Sequence, residues 1–536
     1  GTRVNEDYLI EDVPYNLFNY SEQLDNAYWV SNGGTRTANQ VIAPDGTLTA
    51  DKFLFNAFAS GVYTSAFPAG TYTMSIFIKP ESGDGLIRVG MGLNNSQLNT
   101  TNLSITNQGT GVGRISSAAN GFYRFVTTFT TTSSTAANIY NLNTNTVIAY
   151  IWGVQIVKGD QPKDYLKTTD RLDIPRIDYT NGEPSILLEP QSTNLCTHSV
   201  DFATGVSSGS LNLGNNSTLT YVSNVQAPDG TMGVYRLQNP AQGSTYLSFY
   251  NGNSKNVSVY VKAVDVNKDN QFTLFKSGGS PNVSDVFSAT SNWQRYNLEY
   301  ADAGNITGIN NEGDLYASDV YIWGAQVERT NSYATSLIHT SGSAVTRSAD
   351  AANNAGNSDL FNDSEGVLYC QTAAPSTTGS ADYISISDGT NNERVIISAH
   401  NVLNTIRVFI KSGGSFYSTI DFVASNITEF QKIAFSYKSG QTKLYANGSL
   451  VGTSSDSFSL SSISNLQFAN GNTTSNPYLG KTKMVAVFKE ALSDTELAKL
   501  TGYNNHELYM NYYNRLSYLG LVEEYNVESD INNYIL

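Results

Sequence analysis

The side chains that most often perform catalysis are scattered along this sequence. It contains four histidines, namely His198, His339, His400 and His506, and none lies at metal-ligand spacing from another. A zinc site or a Ser-His-Asp triad needs such residues close together, so the spacing disfavours both. No glycine-rich loop follows a strand and opens a helix, which disfavours nucleotide binding.

Carboxylates are the remaining candidates for catalysis, because glycoside hydrolysis requires two of them on opposite sides of the scissile bond. Those near one predicted linker are Asp160, Asp164, Asp170, Asp173 and Glu183. We interpret them as solvated acids, and we therefore predict no catalytic residue and no enzyme activity. A capsular-polysaccharide depolymerase remains the enzymatic alternative.

Aromatic rings and thiols complete the chemically informative residues. Trp152 and Trp323 could stack on a sugar ring, but both lie in apolar strands, and we interpret them as core residues. Cys196 and Cys370 fall in different candidate domains, which argues against a disulfide and favours small apolar core residues. Tyrosine and asparagine are abundant, yet abundance does not define a site, so we name no ligand-binding or metal-binding residue.

The elements that would position any functional residue are β-strands, as the composition indicates. The chain has 536 residues, which is too long for a single core and predicts two to four domains. Only 14% of the residues are charged, so the polar surface must come from Asn, Ser, Thr and Gly. These residues favour turns and short strands over helices, and we predict an all-β fold.

The net charge of −15 argues against several classes of partner. No cluster of Lys and Arg could bind nucleic acid or an anionic membrane surface. No apolar run is long enough to cross a bilayer. No signal peptide is visible at Gly1, and whether further residues precede it is left open.

An internal repeat organises the first two thirds of the chain. Five segments recur in the same order. The pairs are 16–21 and 194–199, 43–47 and 227–231, 74–79 and 257–262, 122–125 and 293–296, and 151–156 and 322–327. We predict that residues 16–170 and 194–340 form the same sandwich, with Trp152 and Trp323 in equivalent places.

The repeated segments have the pattern of half-buried strands. In residues 71–78, the side chains of Tyr72, Met74, Ile76 and Ile78 share one face, and polar residues share the other. A Pro-Asp-Gly turn lies between two strands of each copy. Many short strands with such turns are typical of a β-sandwich or jelly roll.

The last third of the chain keeps the strand pattern but lacks the repeat motifs. Residues 430–448 alternate and contain an Asn-Gly turn, which indicates a hairpin. Residues 493–496 form a capping box that predicts a short helix. The tail 506–536 is rich in Tyr and Leu, and we predict that it docks on its own domain or on a neighbouring chain.

Two stretches of turn-forming or small residues mark the boundaries between domains. Residues 175–184 contain two prolines and an Asn-Gly pair, which suits a linker with a short hairpin. Small residues dominate from 340 to 356. The predicted parts are a first sandwich repeat with an N-terminal leader (1–170), a linker hairpin and second repeat (171–345), a lectin-like sandwich (346–505) and a tail (506–536).

Several motifs resemble a family of phage virion proteins that is typical of phages of Bacteroidetes and marine bacteria. Its members are usually described as tail-fibre or structural proteins. The motifs are Thr2-Arg3-Val4-Asn5, Val13-Pro14-Tyr15-Asn16-Leu17, Tyr20-Ser21-Glu22-Gln23 with Trp29, residues 186–195, and residues 323–328. The resemblance covers nearly the whole chain, and it implies a location in the virion more than a ligand.

Two further resemblances concern the separate domains. The repeats resemble the jelly rolls of carbohydrate-binding modules, and residues 443–448 with 491–494 resemble concanavalin A-like (laminin-G-like) sandwiches. Related jelly rolls carry a calcium ligand where this chain has Asp319, whereas the first copy has Val147 or a near neighbour there. We predict no cofactor, and calcium at Asp319 stays an open alternative.

Together these features predict a structural component of a virion appendage, a tail or head fibre made in the host bacterial cytoplasm. We expect tandem jelly rolls and a concanavalin A-like sandwich that bind host-surface glycans. The predicted partners are other virion proteins and a glycan, with no nucleic acid and no membrane insertion, and the symmetry usual in fibres predicts a trimer. A purely architectural decoration protein and, more weakly, a bacterial adhesin remain alternatives.

Overall fold

The computed structural model describes residues 2–13, 15–170, 176–241, 243, 245–277, 283–300, 306–311, 316–331, 333–378, 382–471 and 476–502. Over these residues the fold consists almost entirely of antiparallel sheets, so the all-β prediction is confirmed. The chain divides into two compact units, of which one is Val13–Ile174 and the other combines Gly1–Asp12 with Pro175–Leu536.

The chain begins with a short N-terminal hairpin of two strands, β1 (Thr2–Val4) and β2 (Ile10–Asp12). The sequence grouped this segment with the first repeat, but the structure groups it with the second. The reason is apolar packing, since Ile10 is buried in a cluster with Trp323 and Leu337. The Thr2 hydroxyl also donates to the Leu337 carbonyl at 2.8 Å.

The first repeat is a sandwich of two antiparallel sheets. Its strands are β3 (Val30–Ser31), β4 (Thr35–Val41), β5 (Ala50–Phe55), β6 (Gly61–Phe67), β7 (Gly70–Ser82), β8 (Leu86–Met91), β9 (Asn94–Asn99), β10 (Ile105–Gln108), β11 (Val112–Ser117), β12 (Tyr123–Thr131), β13 (Thr135–Asn141) and β14 (Val147–Lys158). One sheet has the order β11-β12-β7-β14-β5-β4 and the other β10-β9-β8-β13-β6-β3.

The core of this sandwich follows from the alternation in β7. Tyr72, Met74, Ile76 and Ile78 are all buried between the sheets, as the sequence predicted. Each fully buried side chain of this size stabilises the fold by about 1.5–3 kcal/mol relative to exposure. The same face of β14 adds further apolar residues, so the two longest strands anchor the core.

The second repeat follows a linker hairpin of β15 (Ile177–Asp178) and β16 (Ser185–Leu188). Its elements are β17 (Ser192–Asn194), α1 (Phe202–Ser207), β18 (Asn212–Leu213), β19 (Thr218–Gln226), β20 (Met232–Asn239), β21 (Tyr246–Asn251), β22 (Asn256–Ala263), β23 (Gln271–Ser277), β24 (Val283–Ser288), β25 (Gln294–Glu299), β26 (Ile306–Asn310), β27 (Ser318–Glu328) and β28 (Val345–Arg347). Its sheets have the orders β19-β20-β27-β22-β25 and β18-β21-β26-β23-β24.

The two repeats share one strand order, which confirms the repeat prediction. The order β4-β5-β14-β7-β12 in the first corresponds to β19-β20-β27-β22-β25 in the second, and the partner sheets correspond in the same way. Trp152 pairs with Phe77, and Trp323 pairs with Tyr260 at the matching position. The glycine after each tryptophan, Gly153 or Gly324, has a positive φ near 60° at a bulge that both copies contain.

The C-terminal domain is a third sandwich. Its elements are β29 (Glu365–Ala373), β30 (Asp382–Ser387), β31 (Arg394–Ala399), β32 (Thr405–Ser412), β33 (Ser415–Val423), β34 (Gln431–Lys438), β35 (Thr442–Ala446), β36 (Ser449–Ser454), β37 (Asn465–Gln467), β38 (Gly480–Phe488) and α2 (Asp494–Gly502). One sheet has the order β33-β32-β31-β30-β37, and the other has the order β15-β16-β38-β29-β34-β35-β36.

The linker hairpin is therefore part of the C-terminal domain's sheet, because β16 pairs with β38. The sequence predicted the hairpin but placed it with the second repeat. An ion pair from Lys481 to the buried Asp178, at 2.8 Å, reinforces the pairing. Lys481 and hydrogen bonds together outweigh the effect of burial, and the pKa of Asp178 lies below its ordinary value.

Helix α2 packs on the sheet that contains β29, β34 and β35, on the side away from the domain core. Leu497 and Leu500 pack on Tyr369 and Tyr445. The predicted capping box is confirmed, since the Ser493 amide donates to Glu496 Oε2 at 2.9 Å and the Glu496 amide donates to Ser493 Oγ at 3.3 Å. The other sheet carries no helix in the part of the chain that is described.

Both cysteines are buried in separate cores and are not bonded to each other, as the sequence predicted. Burial raises the pKa of each thiol to about 12. No helix among the described residues is long and apolar enough to cross a membrane. The tail 506–536, and the docking predicted for it, lie outside the described residues.

Candidate functional site

The histidines do not form a site in the described structure. His198 contacts the hydroxyls of Thr197 and Ser210, each at 3.1 Å, and His400 accepts a hydrogen bond from a nearby backbone amide. His339 packs against Trp323, and His506 lies outside the described residues. Among the residues that are described, no group of three or more His, Cys, Asp or Glu side chains is placed to hold a metal ion.

Asp319, the open calcium candidate, is engaged by an arginine. Arg236 Nε donates to Asp319 Oδ1 at 2.7 Å, and Arg236 Nη2 donates to Oδ2 at 2.5 Å. This bidentate pair occupies both carboxylate oxygens. The geometry explains Asp319 as a strand-to-strand contact between β20 and β27.

The acids near the linker are not brought together as a catalytic pair. Asp160, Asp164 and Asp170 are exposed in the segment after β14. Glu183 forms an ion pair with Lys483 at 2.7 Å, and Asp173 lies outside the described residues. Nothing in the described geometry gives these side chains the opposed arrangement that glycoside hydrolysis needs.

The two repeat tryptophans are core residues, as the sequence predicted. Each is only 3% exposed, so neither ring offers a platform to a sugar. Tyr165 covers Trp152 with ring centroids 4.7 Å apart, and the Trp152 indole donates to Thr49 at 2.9 Å. In the second repeat, Leu337 and Ile10 take the place of Tyr165 against Trp323.

One polar cleft of about 320 Å³ opens on the first repeat. Glu22, Asp25, Asn39 and Lys167 are among the side chains that line it. Glu22 is not free, because Lys167 pairs with it at 2.8 Å and the Tyr165 hydroxyl donates to it at 3.1 Å. The cleft could hydrogen-bond a polar ligand, but none of its lining side chains is an aromatic ring.

A surface with both aromatic and charged groups lies on the C-terminal domain, on the outer face of the sheet formed by β30 to β33. We call it the outer face. Alternate residues of these strands point into the core, as Val395, Ile397 and Val408 do. Their neighbours in sequence therefore point outward. The side chains of interest are Tyr383, Arg394, Arg407, Phe409, Lys411, Phe416 and Asp421.

Three aromatic rings run across the outer face. Tyr383 and Phe409 have ring centroids 6.1 Å apart, and Phe409 and Phe416 have centroids 5.2 Å apart. Phe416 is 63% exposed, whereas Phe409 is buried beneath its neighbours. Exposed aromatic faces are the usual surfaces on which sugar rings stack, because the C–H groups of the sugar are apolar.

An ion pair borders the aromatic line. Arg407 and Asp421 form a bidentate pair, with distances of 2.7 Å and 2.8 Å. The hydrogen bonds from Arg407 hold the pKa of Asp421 below its ordinary value. Burial, followed by the charge of Arg407, lowers the pKa of the adjacent His400, so that ring is neutral at pH 7. The pair offers a donor and an acceptor to the hydroxyls of a ligand.

The segment that follows β37 packs along one edge of this surface. Residues 469–471 cross over β30, where Ser385 donates to the Ala469 carbonyl at 2.6 Å and Ser387 donates to the Gly471 carbonyl at 3.0 Å. Ser398 and Gln467 lie on the same face, and each has a buried side-chain oxygen with no hydrogen-bond partner among the described residues. Such atoms are uncommon in folded proteins, and these two are covered by the chain itself, so they are not part of the surface that is open to a ligand.

Sequence patterns did not indicate this surface, and we predicted no ligand-binding residue on it. Its members come from four strands and are brought together only by strand pairing, for example Arg394 opposite Lys411 and Lys411 opposite Phe416. The one local signal is the spacing of Arg407, Phe409 and Lys411, which puts these three side chains on one face of β32.

Comparison of sequences identifies one domain. Residues 371–498 match the sequence profile of the concanavalin A-like lectin/glucanases superfamily, which agrees with the predicted fold of the C-terminal domain. This match covers less than half of the chain. No curated protein matches the chain, and the resemblance to phage virion proteins stays a prediction.

Solved structures that are similar to parts of the chain include carbohydrate-binding modules and a pentraxin. The sialidase module of Ruminococcus gnavus bound to α2,3-sialyllactose is 19% identical, with a TM-score of 0.25, over 28% of this chain and 94% of that one. The tandem CBM22 domains of Paenibacillus barcinonensis Xyn10C are 12% identical, with a TM-score of 0.23, over 60% and 99%. A pentraxin from Limulus polyphemus is 13% identical, with a TM-score of 0.24, over 28% and 74%.

Proposed function

We propose that this protein is a structural component of a phage virion appendage, a tail or head fibre, and that its C-terminal domain binds glycans on the host surface. The virion role rests on the sequence motifs that resemble virion proteins. The glycan role rests on the concanavalin A-like domain and on its outer face. The protein is made in the cytoplasm of the host bacterium and acts as part of the particle.

The single observation that carries the glycan role is the exposed ring of Phe416 on the same sheet face as the Arg407–Asp421 pair. A sugar needs an apolar surface for its ring and polar groups for its hydroxyls, and the outer face supplies both.

The proposal assigns binding, not hydrolysis. A depolymerase needs two carboxylates that flank the bond to be cleaved. On the outer face, Asp421 is already paired with Arg407. We therefore expect that incubation of the purified chain with capsular polysaccharide of the host releases no oligosaccharide, and chain shortening that is lost on mutation of one acid would contradict this expectation.

Glycan binding can be tested with a matched pair of substitutions. The full chain is applied to an array of bacterial capsular and lipopolysaccharide glycans, and the best ligand is then titrated. Phe416→Ala should weaken binding by about tenfold, since stacking contacts are worth on the order of 1 kcal/mol or more. Phe58→Ala is the control, because Phe58 in the first repeat is exposed to the same degree, 64% against 63%.

The two variants separate a specific site from general stickiness. Equal losses for Phe58→Ala and Phe416→Ala would show that exposed aromatic rings bind without a site. No binding to any glycan on the array would contradict the glycan role and favour the purely architectural alternative.

The virion role needs a different measurement. We expect density for this chain in a fibre of intact particles examined by electron microscopy, and we expect the purified chain to be a trimer by light scattering. Density confined to the capsid shell or tail tube, or a chain that stays monomeric at high concentration, would overturn these two expectations respectively.

A further inference from the structure

Two cations lie side by side on the outer face without an acidic partner. Arg394 of β31 stands opposite Lys411 of β32 in the strand register. The guanidinium of Arg394 donates to the Asn391 side chain at 3.1 Å and to the Asn470 carbonyl at 2.8 Å, and both are neutral groups. Among the described residues, no carboxylate is paired with either cation.

This arrangement runs against the composition of the chain. Acidic residues outnumber basic residues by 46 to 31, and other arginines of the same unit, such as Arg236 and Arg407, have carboxylate partners. Like charges opposite each other in a sheet are destabilising. Burial and then the charge of Arg394 lower the pKa of Lys411, which is the direction expected for two cations that repel each other.

The cost is increased by the burial of Arg394. This side chain is only 4% exposed, and its Nε has no hydrogen-bond partner. A buried cation that lacks a counter-ion is unfavourable unless something else compensates it. Lys411 is partly exposed above it, with its ammonium 5.2 Å from the centre of the Phe416 ring.

We propose that these two cations bind the anionic group of an acidic saccharide, a carboxylate or a sulfate, whose sugar ring stacks on Phe416. Lys411 contacts the anion directly, and Arg394 adds positive charge from below. This inference rests on the proposed glycan role of the outer face and names the class of glycan. It is a binding proposal and involves no covalent step.

Charge complementarity selects a saccharide over other anions. A nucleic acid presents a row of phosphates and requires a wide basic surface, whereas the outer face has two unpaired cations in a chain of net charge −15. A small acidic sugar presents one anionic group, one apolar ring face and several hydroxyls. The cation pair corresponds to the anionic group and Phe416 to the apolar ring face, and the Arg407–Asp421 pair lies four residues further along β32, where it can meet the hydroxyls of a neighbouring sugar unit.

The test uses the full chain and three sets of tetrasaccharides of similar size. One set carries uronate carboxylates, the second carries sulfates, and the third is neutral. Affinities are measured by calorimetry at two salt concentrations. We expect at least one acidic set to bind tenfold or more tightly than the neutral set, with a preference that weakens as salt increases because screening reduces the charge interaction.

Lys411→Gln should reduce the affinity for the preferred acidic tetrasaccharide by about tenfold and change the affinity for neutral ones by less than twofold. Lys499→Gln is the matched control, since Lys499 is exposed on α2 over the other sheet. Arg394→Gln is measured as well, with circular dichroism to check folding, but the proposal depends on Lys411 because its side chain is partly exposed.

The outcomes separate this inference from the function on which it rests. Tight binding of neutral tetrasaccharides that equals or exceeds binding of acidic ones would overturn the inference and leave the glycan role intact. Equal affinity of wild type and Lys411→Gln for the acidic sugar would also overturn it. Failure to bind any of the three sets, together with failure on the glycan array, would contradict the glycan role itself.

Discussion

Each repeat is stabilised internally by hydrogen bonds from equivalent side chains. Asn16 Nδ2 donates to the carbonyls of Val154 and Leu166, at 2.9 Å and 3.1 Å. In the second repeat, Asn194 Nδ2 donates to the carbonyls of Ala325 and Ile338, at 3.0 Å and 2.9 Å. Each asparagine oxygen also accepts two backbone amides, so one amide group joins three segments of backbone.

The glutamine after each tryptophan repeats the arrangement. Gln155 donates to the Asp164 carbonyl and accepts the Leu166 amide, at 3.0 Å and 2.8 Å. Gln326 donates to the Ser336 carbonyl and accepts the Ile338 amide, at 3.3 Å and 2.7 Å. These residues lie within the motifs that recur in the sequence, so the recurring motifs describe how the sandwich closes.

The repeats differ in the elements that surround the strands and hydrogen bonds they share. The first has two additional strands, β10 and β11, one at the edge of each sheet. The second receives the N-terminal hairpin against Trp323. Each repeat is preceded by a hairpin closed by an Arg–Glu ion pair, Arg3–Glu11 or Arg176–Glu189, both at 2.7 Å.

The comparison separates fold from function. Residues that both repeats retain satisfy buried backbone groups, and such groups must be paired wherever the sandwich forms. A binding site has no such constraint and can differ between copies. The strongest candidate surface accordingly lies in the C-terminal domain, outside the repeat.

Removal of the asparagine amide should have the largest effect on stability. Asn194→Ala leaves two buried carbonyls and two buried amides without their partner, and we expect a loss of about 4 kcal/mol, roughly 1 kcal/mol per hydrogen bond. Asn16→Ala should cost the same in the first repeat. Denaturant unfolding followed by circular dichroism measures both.

Asn224→Ala is the control for these two variants, because Asn224 is exposed on the edge strand β19. We expect it to change the free energy of unfolding by less than 0.5 kcal/mol, as is usual for surface sites. If Asn16→Ala lowers the free energy of unfolding far less than Asn194→Ala does, the hydrogen bonds of the two asparagines are not equivalent.

The N-terminal hairpin provides a second comparison. Ile10→Ala should destabilise the second repeat by about 3 kcal/mol through loss of buried apolar volume, and the first repeat should be unaffected. The thiol of Cys196 lies in the core of the second repeat, so its rate of labelling by a thiol reagent should rise more than tenfold. Ile42→Ala is the control, since Ile42 is 53% exposed.

Cys370 gives an internal reference for this experiment, because it is buried in the C-terminal domain. Its labelling should rise less than that of Cys196. Equal acceleration at both thiols would mean that the second repeat and the C-terminal domain open together, and an unchanged rate at Cys196 would show that the hairpin does not stabilise the repeat.

In the first repeat, no hairpin packs on the tryptophan among the described residues, and the side chain of Tyr165 covers Trp152 instead. Tyr165 covers Trp152 where the second repeat has Leu337, and its hydroxyl contacts Ser21 at 2.7 Å. Tyr165→Leu should therefore expose Trp152 and cost about 3 kcal/mol, from lost ring contacts and two hydrogen bonds, to Ser21 and Glu22. Trp152 fluorescence, in a variant whose other tryptophans are replaced by Phe, should shift to longer wavelength. An unchanged emission wavelength would mean that Trp152 stays buried without the Tyr165 ring.

Much of the fold could be predicted from local patterns. The alternation in β7, the capping box at Ser493 and the repeat itself depend on residues near one another or on self-similarity. The docking of the N-terminal hairpin could not be predicted, because it joins Thr2 to Leu337 across the sequence. The outer face was missed for the same reason, since Phe409 and Phe416 meet only after β32 and β33 pair.

The smallest expected effect concerns a single position where the repeats carry different chemistry. Asp51 of β5 pairs with Ile151, and Tyr235 of β20 pairs with the equivalent Ile322. Asp51 is 1% exposed and accepts the amides of Leu24 and Asn39, at 2.9 Å and 3.0 Å. Burial raises the pKa of Asp51 to about 6, despite these hydrogen bonds.

The raised pKa predicts a pH dependence from this position in the first repeat that Tyr235, at the same position in the second, cannot give. The folded chain binds the Asp51 proton more tightly than the unfolded chain, so protonation stabilises the fold. This contribution is fully present below about pH 4 and is lost as the pH rises through 6, and the shift from 3.8 to about 6 corresponds to about 3 kcal/mol. Asp51→Asn cannot titrate, so the difference in free energy of unfolding between wild type and this variant should change between pH 4 and pH 6.

Tyr235→Phe is the matched control, because burial raises the pKa of Tyr235 to about 12 and that hydroxyl stays protonated throughout. A difference that is constant with pH for Asp51→Asn would show that the carboxyl is hydrated in the folded chain, and that the two repeats meet the same electrostatic conditions at this position.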